Sequence, residues 1–175
     1  MTAVFIRRET PADVDAIRTV TQAAFGPQYA PEPAPEPGLV DQLRADSAWL
    51  PALSLVAEVD GEIVGHVVCT RGRVGDTPAL GLGPLSVRPD HQRAGVGSAL
   101  MHAVLGGADA LGEPLVALLG GDPGYYRRFG FRPAQELGVL APDADWGVHF
   151  QARPLAGHDP AVRGLFTYAE PFLRL

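Results

Sequence analysis

The chain has 175 residues, of which 46% are apolar and 19% charged, a balance that is typical of a folded protein and argues against disorder. The formal net charge is -6, and no basic run is interleaved with aromatic residues, so we expect no nucleic-acid surface. No stretch approaches the ~20 apolar residues of a membrane span, and Arg7, Arg8 and Glu9 interrupt the first apolar stretch. We therefore expect one domain over residues 1–175, without a membrane segment or secretory signal, located in the cytoplasm.

The first quarter of the chain predicts one strand and two helices. Residues 4–8 form a short apolar strand, and Thr10 then opens a helix that ends near residue 26, because Pro11 suits the first helical position. Residues 27–37 contain five prolines and predict an irregular loop. A short amphipathic helix from Leu39 to Asp46 follows.

The middle of the chain predicts a hairpin and a third strand. Residues 53–59 and 62–70 are strand-like, and Asp60-Gly61 between them is typical of a two-residue hairpin turn. Residues 79–87 form a further apolar run that contains Pro84. Because proline donates no backbone hydrogen bond, we expect a bulge or a splayed edge at Pro84.

The remaining elements alternate between helix and strand. We expect a helix from near Gly97 with its middle weakened by two glycines, a buried strand over 115–119 and a short helix from Asp122 to Phe129. A strand over 148–154 follows, and then a turn-rich stretch with an apolar tail. That tail, residues 164–175, is a weak indication of a homodimer interface.

The candidate ligand-binding segment runs from Leu85 to Leu100. It predicts a strand, a turn that contains a proline, a loop with glycines and the start of a helix. Gly95 and Gly97 leave no Cβ between the backbone and a ligand, so that successive N–H groups can converge on one anion. Arg93 adds a positive charge nearby. On these residues alone, a tight turn that needs two glycines for its geometry is an equally good interpretation.

Two motifs in this order resemble the GNAT superfamily of N-acetyltransferases. The first is Val87-x-Pro-x-x-Gln-x-x-Gly-x-Gly97, which is similar to the family's pyrophosphate-binding motif. The second lies within residues 118–131, where Gly-Asp-Pro-x-Tyr-Tyr-x-x-Phe-Gly-Phe resembles the signature of a bacterial subgroup of the family. The resemblance covers residues 4–133, which would be the core, and fits residues 134–175 only loosely.

This resemblance implies a mixed α/β fold with a central, mostly antiparallel sheet, a splayed strand pair and about four flanking helices. It also implies acetyl-CoA as the acyl donor, with its pantetheine arm against Leu85 and Val87. Its pyrophosphate would lie on the amides that follow Gln92, and a backbone N–H near Val87 would polarise the thioester. The implied cofactor-binding residues are Leu85, Ser86, Val87, Gln92, Arg93, Ala94, Gly95, Val96, Gly97 and Ser98.

Within the family's second motif, Tyr126 is the candidate general acid. The departing CoA thiolate needs a proton, which a phenol can supply when it is hydrogen-bonded to the sulfur. The family's spacing before Gly130 selects Tyr126 over Tyr125, for which packing or a substrate-wall contact is the simpler interpretation. Direct attack by an amine needs no acyl-enzyme, so Cys69 is expected to be a small buried strand residue.

The general base stays open at this stage, because the strand over 79–87 contains no Asp or Glu. Glu58, His66 and Asp122 are weak candidates: Glu58 could be solvated, His66 could be a satisfied strand histidine, and Asp122 could be a helix cap. The other histidines lack metal-ligand spacing, so we expect no metal.

The role of the proline-rich loop and the function of the whole chain both leave alternatives open. The proline-rich loop, with Glu32 and Glu36, could be a lid that presents carboxylates to an amine or simply a mobile surface loop. The chain could also be a non-catalytic acyl-CoA-binding module, or a protein-interaction domain that uses this loop. The acceptor, a small-molecule or protein amine, cannot be identified from the sequence.

Overall fold

A computed structural model describes residues 2–175 as a mixed α/β fold built on one large sheet. The described strands are β1 (Phe5–Arg8), β2 (Trp49–Val59), β3 (Glu62–Val74), β4 (Thr77–Val87), β5 (Leu115–Leu119), β6 (Arg132–Pro133), β7 (Val139–Leu140), β8 (Phe150–Pro154) and β9 (Gly164–Thr167). The described α-helices are α1 (Val14–Phe25), α2 (Glu36–Arg44), α3 (Val96–Ala110) and α4 (Pro123–Arg127). Among these residues, no helix is long and apolar enough to cross a membrane.

The sheet follows the order β1-β2-β3-β4-β5-β8-β6 and is antiparallel except between β4 and β5. β9 pairs with the far end of β3, and the short β7 pairs with β9. This confirms the predicted mostly antiparallel mixed sheet with about four helices. β9 lies in the stretch predicted only as turns and an apolar tail, and the short β6 and β7 lie between residues 130 and 147, where no element was predicted.

Side-chain alternation along the strands divides the core between the two faces of the sheet. One face packs against α3, where Leu53 and Val67 are fully buried together with Leu100. The other face packs against α1 and α2, where Val56 is buried with Ile17. α3 continues through Gly107. A side chain does not fit at this position, because a Cβ there would approach the Leu53 side chain to 2.8 Å. Close packing, rather than helix weakness, explains this glycine.

Local sequence signals account for the turns. Asp60 and Gly61 both have positive φ angles (51° and 81°), as a two-residue hairpin turn of the predicted kind requires. The carboxylate of Asp13 accepts a 2.7 Å hydrogen bond from the backbone N–H of Thr10, which stabilises the entry into α1. Gly130, at a φ of 91°, follows the end of α4 as expected.

Several element bounds differ from the predicted ones. α2 begins at Glu36, within the segment predicted to be irregular, because Pro37 lies in the first turn, where no backbone donor is needed. The same helix ends at Arg44 rather than Asp46. β2 begins four residues earlier than predicted and β8 two residues later, at Phe150.

The predicted distortion at Pro84 is confirmed. Val67 pairs with Leu85 and Cys69 pairs with Leu82, so Gly83 and Pro84 of β4 together lie opposite the single Val68. The extra residue makes a β-bulge that bends this end of β4. The candidate site lies next to this bulge, at the end of the pairing between β4 and β5.

Candidate active site

The candidate site lies where β4 and β5 separate. Only two residue pairs join these parallel strands, Leu80 with Val116 and Gly81 with Ala117. Beyond Gly81 the bulge turns β4 away, and the strands diverge toward their carboxyl ends. Open parallel sheets bind ligands at such carboxyl ends. Two cavities meet at this opening, and both are lined by Phe25 and Leu85.

The first cavity, here the loop cavity, has a volume of about 700 Å³ and is next to the glycine loop, residues 92–98. Its lining residues are Ala24, Phe25, Gln28, Leu85, Val87, Gln92, Arg93, Gly95, Gly97, Ser98, Tyr125 and Arg128. The structure thus brings seven of the ten sequence-predicted cofactor-binding residues together along one cavity or within its wall: Leu85, Val87, Gln92, Arg93, Gly95, Gly97 and Ser98. The remaining three, Ser86, Ala94 and Val96, belong to the same strand and loop but are not part of that lining.

The glycine loop combines two left-handed residues with the start of a helix. Arg93 (φ 60°) and Gly95 (φ 87°) both occupy the left-handed region, a backbone conformation that is common in anion-binding loops. α3 starts at Val96 with Gly95 as its N-cap, and no side chain caps its first amides. These amides have no partner within the helix and carry the positive end of its dipole.

Gln92 fixes the loop to the end of β4. Its side-chain amide donates a 3.0 Å hydrogen bond to the backbone carbonyl of Val87. This bond joins the residue that starts the loop to the strand that borders the opening. The Gln92 side chain therefore fixes the position of the glycine loop relative to the end of β4, the two parts of the predicted cofactor site.

Two arginines add positive charge to the loop cavity. Arg93 is exposed and has no ion-pair partner among the described residues. Arg128 donates to the carbonyl of Tyr125 at 3.1 Å and stacks on the Tyr125 ring, 4.3 Å from its centroid. Arg128 was not among the predicted site residues, although it lies only two residues after the tyrosine pair, at the end of α4.

The second cavity, here the apolar cavity, has a volume of about 470 Å³ on the other side of Leu85. Its lining residues are Phe25, Glu36, Leu39, Leu82, Gly83, Pro84, Leu85, Leu118, Leu119, Gly120, Gly121, Tyr126, Pro142, Trp146, Tyr168, Phe172, Leu173 and Leu175. The lining residues from the C-terminal tail, residues 164–175, were not predicted as site residues, because this part of the sequence shows only an apolar pattern. Phe166 and Tyr168 of this tail are buried in the protein's own core, whereas Leu165, Leu173 and Leu175 are exposed.

Tyr126 lines the apolar cavity from α4. Burial, with the charges of Tyr125 and Asp122 acting in the same direction, raises the pKa of Tyr126 to about 12. The phenol therefore stays protonated at neutral and mildly alkaline pH. Its ring lies so close to Gly120 that a Cβ there would approach Cε2 to 2.5 Å, so only glycine fits at position 120 without displacing the ring.

None of the three weak base candidates lines either cavity. Glu58 is ion-paired with Arg7 at 3.0 Å. The carboxylate of Asp122 accepts from the backbone N–H of Gly124 at 3.0 Å and is the N-cap of α4. His66 is fully buried on β3, its Nε2 lies 2.9 Å from the Ser54 hydroxyl, and burial lowers its pKa.

The single cysteine lies away from both cavities. Cys69 is buried on β3, as expected, and burial raises the pKa of its thiol, which disfavours the reactive thiolate. Within residues 2–175, no cluster of three or more His, Cys, Asp and Glu side chains is arranged to hold a metal ion.

The proline-rich segment borders the apolar cavity through its last part. Tyr29 donates a 2.9 Å hydrogen bond from its hydroxyl to Glu36, which lines the cavity from the first turn of α2. Ala34 is buried, and its N–H bonds to the Gln22 side chain of α1. Glu32 is exposed and lines neither cavity.

The chain is similar to known proteins over most of its length. A family model described as an acetyltransferase (GNAT) domain matches residues 5–134. The sequence is 37% identical over 175 aligned positions to a protein named uncharacterized N-acetyltransferase YjhQ from Escherichia coli K12, with 89% of this chain and 93% of that protein covered.

Two solved structures are similar over nearly the whole chain. A GNAT family acetyltransferase from Brucella melitensis in complex with acetyl-CoA is 37% identical, with a TM-score of 0.77 and coverage of 97% of this chain and 98% of that one. The GNAT family N-acetyltransferase YhbS from Escherichia coli in complex with CoA is 30% identical, with a TM-score of 0.85 and coverage of 100% and 94%.

Proposed function

The chain belongs to the GNAT acetyltransferase family, and from this premise we propose that it transfers the acetyl group of acetyl-CoA directly to an amine. The single observation that carries the proposal is the arrangement at the β4–β5 opening. The glycine loop lies on one side of Leu85, and the half-buried phenol of Tyr126 lines the cavity on the other side. A donor that crosses the opening would have its phosphates at the loop and its thioester near the apolar cavity.

The donor is acetyl-CoA in this proposal. The amides of Val96, Gly97 and Ser98 would bind its pyrophosphate, with Arg93 and Arg128 supplying positive charge. The pantetheine arm would lie along Leu85 and Val87. The similar proteins from Brucella melitensis and Escherichia coli hold acetyl-CoA and CoA, respectively, which supports this choice of donor.

The reaction needs one nucleophile and one acid. The amine, after losing a proton to water, attacks the thioester carbonyl carbon, a C–N bond forms, and the C–S bond breaks. A backbone N–H near Val87 would stabilise the oxyanion that develops on the carbonyl oxygen. Tyr126 would donate its phenolic proton to the departing sulfur and recover a proton from the nitrogen, so that one proton is released overall.

This proposal is tested by the release of free CoA thiol from acetyl-CoA in the presence of a panel of primary amines. The expected result is amine-dependent CoA release together with the acetylated amine, identified by mass spectrometry. Folded protein that binds acetyl-CoA but acetylates no amine would contradict the proposed transfer. It would then favour a non-catalytic acyl-CoA-binding module.

A further inference from the structure

One carboxylate faces a cavity that is otherwise built from uncharged side chains. Of the described residues that line the apolar cavity, Glu36 is the one with a charged side chain. It occupies the first position of α2, where the positive end of the helix dipole favours a negative charge. A carboxylate at this position can bind a cationic group that enters the cavity.

The two carboxylate oxygens of Glu36 differ in their surroundings. Oε1 accepts a 2.9 Å hydrogen bond from the Tyr29 hydroxyl. Oε2 is shielded from solvent and has no hydrogen-bond partner among residues 2–175. Removing a carboxylate oxygen from water without a replacement partner costs free energy, so a small rotation of the carboxylate that presents Oε2 to a charged donor in the cavity would be favourable.

The rest of the cavity wall favours an apolar group in the part of the ligand beyond its charged end, here called the body of the ligand. Leu39 and Leu118 supply aliphatic wall, and Trp146, Tyr168 and Phe172 supply aromatic wall. The volume of about 470 Å³ lies in the range of small-molecule pockets. A second positive charge placed against this wall would lose contact with water without gaining a charged partner among the lining side chains, which is costly.

We propose that the acceptor is a primary amine with an apolar, aromatic or branched body, and that Glu36 binds its ammonium group. This inference rests on the proposed acetyl transfer and names the substrate class of the same site. Glu36 rotates its carboxylate so that Oε2 accepts charge-assisted hydrogen bonds from the ammonium group, while Tyr29 donates to Oε1 and keeps the carboxylate at the cavity wall. The apolar body fills the space between Leu39 and the aromatic wall.

The test compares phenethylamine with spermidine and glycine as acceptors at saturating acetyl-CoA. We expect kcat/KM for phenethylamine to exceed that for either polar amine by about tenfold or more, because only its body matches the cavity. Equal rates, or a preference for spermidine or glycine, would overturn the inference. Acetyl-CoA binding without acetylation of phenethylamine would also overturn it.

The variant Glu36→Gln tests the carboxylate itself. We expect KM for phenethylamine to rise about tenfold or more with acetyl-CoA affinity unchanged, since a charge-assisted hydrogen bond to the amine is lost. Glu32→Gln is the matched control, because this exposed residue of the same segment does not line the cavity. An unchanged KM in Glu36→Gln would overturn the assignment.

Two measurements separate this inference from the proposed function and from misfolding. Calorimetric binding of acetyl-CoA reports on the donor site alone, so its absence would defeat the proposed function rather than the acceptor class. Tyr29→Phe leaves the carboxylate in place but removes its orienting hydrogen bond, and we expect a smaller rise in KM for phenethylamine. Thermal unfolding of each variant shows whether it is folded, and a folded Tyr29→Phe with wild-type KM would count against the orienting role.

Discussion

Tyr125 and Tyr126 are neighbours in the chain, yet they line different cavities. Their ring planes stand at 89° with centroids 5.0 Å apart, so α4 directs one phenol to the glycine loop and the other to the apolar cavity. A Cβ on Gly97 would lie 2.8 Å from the Tyr125 hydroxyl. Tyr125 is thus part of the wall beside the loop, whereas Tyr126 is placed beside the proposed reaction centre.

The first prediction follows from this division. Tyr126→Phe should lower kcat for amine acetylation by about 100-fold, the lower range for the loss of a general acid, without changing acetyl-CoA affinity. Steady-state CoA release and calorimetry measure the two quantities. Tyr125→Phe keeps its ring in the other cavity and is the control, with kcat expected to stay near the wild-type value. A Tyr126→Phe enzyme with normal kcat would remove this residue from the mechanism.

A second prediction concerns the space above the glycine loop. Gly97→Ala should weaken acetyl-CoA binding by about tenfold or more, because the added methyl group meets the Tyr125 hydroxyl and fills the surface on which the phosphates would lie. Gly106→Ala in the same helix is the control, since a Cβ there meets nothing within 4 Å.

For Gly106→Ala we expect unchanged binding and a gain of up to about 1 kcal/mol in the free energy of unfolding, from the higher helix propensity of alanine. Calorimetry and thermal unfolding of both variants provide the comparison. Equal acetyl-CoA affinities of the two variants would contradict a phosphate site on this loop.

A third prediction separates two adjacent arginines. Arg128→Gln should weaken acetyl-CoA binding several-fold and reduce its dependence on salt, because Arg128 lines the loop cavity and would face the phosphates. Arg127→Gln removes the same charge from an exposed neighbour that lines neither cavity. If both substitutions weakened binding equally, the effect would arise from net charge and not from a contact.

A fourth prediction concerns stability in acid. Glu9 lies among Arg44, Ser54 and His66, with its Oε2 2.8 Å from Nε of Arg44. Burial alone would raise its pKa, but hydrogen bonds from His66, Arg44 and Ser54 outweigh burial and lower the pKa to about 2.

Between the ordinary pKa of 4.5 and about 2, the unfolded chain therefore binds a proton at Glu9 that the folded chain does not. The free energy of unfolding should hold its Glu9 contribution above pH 4.5 and lose it as the pH falls toward 2. Denaturant unfolding across this range measures the effect. Glu9→Gln should flatten the decline, and Glu170→Gln, in an exposed ion pair with Arg174, should leave it unchanged.

Much of the fold could be predicted because its signals are local. The Asp60-Gly61 turn, the bulge at Pro84 and the loop before α3 each follow from backbone restrictions on a few adjacent residues. The start of α2 at Glu36 was missed, because prolines that normally indicate a loop are also accepted in the first turn of a helix.

The apolar cavity could not be predicted, because its walls come from distant parts of the chain. Trp146 comes to Glu36 when β8 pairs with β5, and Phe172 joins them when β9 pairs with the end of β3. No spacing rule connects residues so far apart in sequence. Glu58 and His66 were candidates because of the strands they lie on, and the structure instead pairs Glu58 with Arg7 and buries His66 beside Ser54.

The most direct test of the central claim is a calorimetric titration of the protein with acetyl-CoA, with ATP and NADPH as controls. We predict selective binding with a Kd near 1 μM, about -8 kcal/mol, and one site per chain. Folded protein that binds neither acetyl-CoA nor a longer acyl-CoA would contradict the account, and the glycine loop would then be a structural turn only.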